Sequence, residues 1–415
     1  MYRHRTVDEQ LASLLSAMGA VVIEGPKACG KTMTALQVAR SVVRLDVDPN
    51  ARQAAAIDPS LLLEGETPRL LDEWQIEPAI WNHVRRAVDE RQENGQFLLT
   101  GSAVPADDVT RHTGAGRIAR LIMRPMSLHE SGHSTGAVSL AALFAGEKAR
   151  SADAGVDVQE LARRVAAGGW PRWVGAPVDQ ALVAMRAYVD EVRRTDIQRL
   201  DGVDHDPNRV LQLMRSIARN VATMVGIATL AKDVAGVEQA IDVKTAARYY
   251  GALERLMVVE DQPAWAPHLR SKSRVRVTPK RHFVDPAIAV AALRATPERL
   301  LEDLNLLGFL FESLVVRDLR IYAQRVDAQV LHYQDNTGLE VDAIIEAADG
   351  RWAAVEVRLG PRMIEEAAAN LLAFEERVDK SKCGPPRFLA VVTGFGLGYA
   401  RPDGIQVVPV GALGP

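Results

Sequence analysis

The sequence predicts an α/β fold class: a parallel sheet with helices on both faces, then a helical region, a three-helix unit closed by a ribbon, and a small α/β domain. Three observations carry this expectation. A glycine loop lies between an apolar run, Ala20 to Ile23, and a helical pattern, Met33 to Val43. A second run ends on acids, Leu70-Leu71-Asp72-Glu73. From about Leu300 onward, helix and strands alternate around one long helix, Met363 to Val378.

With 415 residues the chain exceeds the size at which a single core stops growing. The divisions read as 1–135, 136–205, 206–298 and 299–415. Hydrophobic residues at 47% and charged residues at 25% are ordinary globular composition and argue against long disordered tails. A net charge of -3 gives no global nucleic-acid signature, so any basic surface has to be local. Cys29 and Cys383 cannot build a disulfide framework. The start MYRHRTVDEQ lacks the apolar core of a signal peptide, and no run is long enough to cross a membrane. The expectation is a cytoplasmic protein without a membrane partner.

The first loop, Gly25-Pro26-Lys27-Ala28-Cys29-Gly30-Lys31-Thr32 followed by Met33, has the G-x-x-x-x-G-K-[ST] spacing between strand and helix. Gly25 and Gly30 let backbone N–H groups turn toward phosphate, and the helix adds its positive end. Lys31 would reach the β/γ-phosphates of ATP, and Thr32 would bind Mg²⁺. Cys29 reads as a loop filler. Asp72 would hold the metal and Glu73 would polarise the attacking water. A third strand, Gln96 to Ser102, brings up Thr100 and Ser102 as γ-phosphate sensors or plain turn residues.

Together with these motifs, LDVDP, LLTGSA, AGRIARLIMRPMSLHE and GWPRWV resemble AAA-type ATPases of bacteria and archaea that carry a C-terminal domain of unknown function. The resemblance covers nearly the whole chain. It implies an arginine that completes the ATP site, with Arg117 in the matching position and Arg120 and Arg124 as alternatives. An arginine supplied by a neighbouring subunit would make the protein a homo-oligomer. His129-Glu130-Ser131-Gly132-His133 matches the H-E-x-x-H zinc pattern, but Ser131 and Gly132 break the helix it needs, so it reads as a helix stop or loop.

Further on, Gln159 to Val165 and Asp179 to Leu200 read as helices, with Arg193, Arg194 and Asp196 on a solvated face or, as the alternative, bearing on nucleotide or subunit contacts. Helices Asn208 to Asn220, Ile227 to Val234 and Val243 to Leu256, then strand Val258-Val259 and a return at His282-Phe283-Val284, make a winged helix. Its wing carries Arg270, Lys272, Arg274, Arg276, Lys280 and Arg281, a charge run suited to double-stranded DNA; docking of a protein partner is the alternative.

The last part predicts a helix Leu304 to Ala323, strands Val330 to Tyr333, Val341 to Glu346, Trp352 to Val357 and Arg387 to Val392. A hairpin at Ala348-Asp349-Gly350 would place Asp342 opposite Glu356. Glu312, Asp342 and Glu356 follow an order that resembles PD-(D/E)XK nucleases, with Arg358 where the lysine belongs. Arginine stays protonated, and its fork can bridge both carboxylates in place of a metal. The expected role is an ATP-dependent switch with a nuclease-like domain used for binding. The rivals are an ATP-gated nuclease and a nucleotide-bound scaffold.

Overall fold

The computed structural model describes residues 2–101, 113–198, 206–235, 241–267 and 278–415. Helix α1 (Val7–Ala17) leads into β1 (Ala20–Glu24), which is buried along its whole length. The loop opens a short α2 (Lys31–Ala35), followed by β2 (Ser41–Arg44), α3 (Pro49–Ile57), β3 (Arg69–Asp72), α4 (Ile80–Arg91), β4 (Phe97–Gly101) and β5 (Ile118–Ile122). The strands form one parallel sheet in the order β2-β3-β4-β1-β5. Val7, Leu11 and Ala35 cover one face, while Ala51, Ile80 and Val84 cover the other.

The helix expected over Met33 to Val43 stops at Ala35, because Val42 and Val43 are taken by the sheet and pair with Leu70 and Leu71. Their β-branched side chains fit a pleated surface better than a helix, and pairing overrides a weak helical propensity.

A short strand β6 (Val138–Ser139) follows, with α5 (Leu140–Phe144), α6 (Val158–Ala167) and α7 (Val178–Glu191). The helix expected to reach Leu200 widens instead into a π-turn at Val192–Asp196. Next come α8 (Pro207–Arg219), α9 (Ile227–Ala235) and α10 (Val243–Arg255). An antiparallel ribbon closes this unit through the pairs Val259 with Phe283 and Gln262 with Lys280, and Thr223 joins Arg281. Arg270, Lys272, Arg274 and Arg276 lie outside the described residues.

After α11 (Pro286–Leu293) and α12 (Pro297–Glu302), the long α13 (Leu304–Ala323) is buried on every side through most of its length. It packs under a six-stranded sheet built from β7 (Ala328–Gln334), β8 (Glu340–Ala347), β9 (Trp352–Arg358), β10 (Leu389–Thr393), β11 (Tyr399–Ala400) and β12 (Gln406–Pro409). The order is β11-β12-β10-β9-β8-β7. Helix α14 (Ile364–Arg377) covers the other face. Strand β10 starts two residues later than expected. The final strand β13 (Leu413–Gly414) returns to pair with β6. One apolar core runs from Leu128 through α6, α8, α11 and α13 to Leu413. Among the described residues no helix is long and apolar enough to cross a membrane.

Candidate nucleotide site and an acidic pocket

The loop after β1 is shaped by close approaches. A Cβ on Gly25 would lie 2.1 Å from the carbonyl oxygen of Met123, and Gly30 stands at φ +111°, so both positions need glycine. Ala28 and, beyond β3, Glu73 take left-handed backbone angles, with φ 61° and 56°. For side chains other than glycine that conformation costs on the order of 1–3 kcal/mol, and such strain concentrates where a ligand has to be met. The Lys31 ammonium folds back onto the carbonyl oxygens of Gly25 and Pro26, each at 2.9 Å. Cys29 is buried against Met123.

Parallel pairing of β1, β3 and β4 carries their carboxyl ends to this loop. There the Asp72 carboxylate accepts from Thr32 Oγ1 at 2.9 Å and from Thr100 Oγ1 at 2.5 Å. Cis oxygens around an octahedral Mg²⁺ lie about 2.9 Å apart, so Thr32 and Asp72 fit as two ligands of a metal whose other ligands are phosphates and waters. Glu73 follows Asp72 and receives the side-chain amide of Gln75. Ser102 lies outside the described residues.

The arginine expectation requires correction. Arg117 precedes β5, where its carbonyl accepts from Ala20 at the amino end of the sheet, the pole opposite the loop, and its guanidinium pairs with Asp89. It cannot reach its own chain's site. Arg120 pairs with Glu24. Arg124 grips Glu260 with two bonds of 2.8 and 2.5 Å. Arg5, which sequence reasoning passed over, braces the loop: it donates to the carbonyls of Cys29 at 2.9 Å and Arg124 at 2.7 Å and meets Glu130 at 3.3 Å. Glu130 is thereby committed, and residues 128–132 form turns.

Asp196 also departs from expectation. It and Arg193 are buried, not solvated, and Asp196 pairs with Lys27 of the loop, while only Arg194 of the three is exposed. A π-turn makes this contact by adding a residue and rotating the carboxylate inward. Trp170 donates to the carbonyl of Lys27 at 3.1 Å, and the N–H of neighbouring Gly169 donates to Asp285. Asp285 in turn pairs with Arg317 at 2.6 Å, and Arg317 with Asp318 at 2.7 Å; all three side chains are 2% exposed or less. Asp318 accepts from the Leu128 N–H. A buried polar chain therefore runs from the loop through the helical region to α13.

Five residues before Arg317, the same helix presents Glu312 to a cavity of about 650 Å³ lined by Glu340, Asp342, Glu356, Arg358 and Asn370. The β8–β9 register, Ala343 with Val355, sets Asp342 beside Glu356. Arg358 bridges them, at 2.9 Å to Asp342 and 2.5 Å to Glu356. A second cation enters from the ribbon: Lys280, expected on a DNA surface, is 1% exposed and meets Glu312 and Glu340 at 2.7 Å and Asp342 at 3.2 Å. Arg281 is likewise buried, against Asp261. Neither is placed to touch DNA, because the ribbon folds its base inward onto the last domain.

Burial pushes the Glu312 carboxyl up to about 8, and burial together with Asp342 holds Glu356 well above the carboxylate range. Burial also works against the charges of Asp342 and Lys280. Lys280 and Arg358 outweigh it for Asp342, and three carboxylates outweigh it for Lys280. The cluster reaches charge balance with two cations and two retained protons. Among the described residues no group of three His, Cys, Asp or Glu side chains is disposed to hold a metal ion.

Comparison with known families matches residues 18–132 to the model described as AAA domain. Residues 158–299 and 307–413 match two models each described as a domain of unknown function, DUF8612 and DUF4143. No curated protein matches. Among solved structures, the Walker-type ATPase PABY2304 of Pyrococcus abyssi is 12% identical, over 69% of this chain and 94% of that one, with a TM-score of 0.42. A structure of Drosophila ORC bound to DNA is 13% identical over 70% and 85%, with a TM-score of 0.18. Residues 18–132 are thus similar to an AAA domain, and the architecture of the rest stands on its own geometry.

Proposed function

We propose that the chain is a Mg²⁺-dependent ATP-binding and hydrolysing switch. The observation that carries this reading is the convergence of Lys31, Thr32, Asp72, Glu73 and Thr100 at the carboxyl ends of three parallel strands. In it, residues Gly25 to Met33 cradle the phosphates, Lys31 leaves its loop carbonyls for the β/γ-phosphates, and Thr32 and Asp72 hold the metal. Bound Mg²⁺ supplies neutralisation of phosphate charge. Glu73 accepts the proton of the attacking water. Phosphate entering the loop competes with Asp196 for Lys27, which passes nucleotide state to the π-turn and on through Trp170 and Asp285 to α13.

The unit from α8 to the ribbon is read as a winged helix and the last domain as nuclease-like. Steady-state hydrolysis with Mg²⁺ tests the switch: turnover is expected in wild type and absent in a folded Lys31→Ala. Duplex DNA that stimulates turnover, with an effect fading as salt rises, identifies DNA as the partner. Turnover unchanged by DNA shifts the reading to a protein partner.

A second reading, a metal-dependent nuclease, is favoured by one observation: Lys280 brings to the pocket the lysine that Arg358 replaces. Against it, Lys280 and Arg358 already neutralise the carboxylates a metal would need, and an arginine is a poor substitute for a lysine that has to move a proton. Plasmid DNA incubated with the protein and Mg²⁺ or Mn²⁺ is expected to stay intact. Cleavage that disappears in Glu356→Ala would establish the nuclease.

A further inference from the structure

We propose that Gln75 is a positioning residue for hydrolysis, fixing the Glu73 carboxylate with its amide NH₂ and offering its amide oxygen to the nucleophilic water. The proposal rests on the ATPase reading above. Gln75 lies in the single helical turn Trp74–Ile76 directly after Glu73. Buried Trp74, stacked on Trp81 with ring centroids 5.1 Å apart, anchors that turn. The left-handed backbone of Glu73 turns its side chain back so that Oε2 receives Gln75 Nε2.

The other end of the amide is the informative one. Gln75 Oε1 is buried and accepts no hydrogen bond among the described residues. It lies over Gly101, the last residue of β4, where a Cβ would come within 2.5 Å of it. Gly101 follows Thr100, the hydroxyl partner of Asp72. The amide thus spans from Glu73 to the end of β4, on the face of that strand opposite the Thr100 hydroxyl, and glycine at 101 is what leaves it room. A buried acceptor without a donor is destabilising, and a donor arriving with the substrate relieves it.

The reaction supplies such a donor. The water oxygen forms a bond to the γ-phosphorus, and the bond from that phosphorus to the β,γ-bridging oxygen breaks, leaving its electron pair on ADP. One water proton goes to the Glu73 carboxylate and later to solvent. The second stays on the phosphate formed and, until then, points at Gln75 Oε1. With both protons directed, the lone pair faces phosphorus, which is the work of a water-positioning glutamine.

The test compares steady-state kinetics of wild type, Glu73→Gln, Gln75→Ala, Gln75→Asn and Gln75→Glu, each checked by thermal melting. Gln75→Ala is expected to lower kcat about 10–100-fold, with KM for ATP within about threefold of wild type. Gln75→Asn, too short to reach both ends, should lose nearly as much, and it carries the test if the alanine variant does not fold. Gln75→Glu places a like charge beside Glu73 and should move the acid limb of the kcat–pH profile up by about one unit. A kcat within twofold of wild type for Ala and Asn, or a loss confined to KM, overturns the proposal. Turnover absent from wild type, or undiminished in Glu73→Gln, overturns the ATPase reading and this proposal with it.

Discussion

Glu73→Gln is expected to reduce ATP turnover by about 10²–10³-fold while nucleotide binding stays within about threefold of wild type. The substitution removes a base and little else: the amide matches the carboxylate in size, and the Asp72 bonds to Thr32 and Thr100 are untouched. A thousandfold loss corresponds to about 4 kcal/mol of transition-state stabilisation, within the range of a single general base. Binding of a fluorescent ATP analogue separates this loss from damage to the loop. Retention of more than a tenth of wild-type turnover would take the base role away from Glu73. Because Lys31 serves the phosphates directly, Lys31→Ala should differ in kind, losing binding and turnover together.

The largest effect on stability is expected at Arg317. Its guanidinium lies between Asp285 and Asp318, both 1% exposed or less, so bulk solvent is not at hand to take its place. Burial alone pushes Asp318 up, Arg317 opposes it, and the balance leaves Asp318 raised even with its partner present. Removing the cation strands two buried carboxylates, a loss of about 3–5 kcal/mol for a broken buried pair. Arg317→Ala is therefore expected to melt many degrees below wild type or to accumulate as insoluble protein. Arg317→Lys restores a charge but not the fork that contacts both partners, so it should recover only part of the loss. An alanine variant melting within about two degrees of wild type would show the triad to be energetically idle.

How much of this was legible depended on range. The phosphate loop is a local pattern, eight residues whose spacing reports their own backbone, and α13 announces itself by twenty residues with no proline and a single glycine, Gly308. The Asp342–Glu356 pairing also followed from a short hairpin, whose loop length sets the register. The misreadings are long-range. Lys280 looked like one more charge in a basic run, and nothing near it in sequence says that Glu312 and Asp342 await it across the fold. Asp196 looked like a helix-surface acid until the π-turn rotated it toward Lys27. Arg117 sat in the right motif but at the wrong pole of the sheet, and a motif does not state which end of a strand it occupies. Gln75 carried no signal except its place two residues after Glu73.

The ion cluster around Lys280 constrains how such a chain can be inherited. The lysine lies in the segment 158–299 and its carboxylates in 307–413, two stretches that match separate family models. Exchanging either stretch for a distant cousin would leave a buried ammonium without its acids, or the acids without their ammonium. A substitution at 280 is therefore expected to be felt at 312, 340 and 342, in the other stretch.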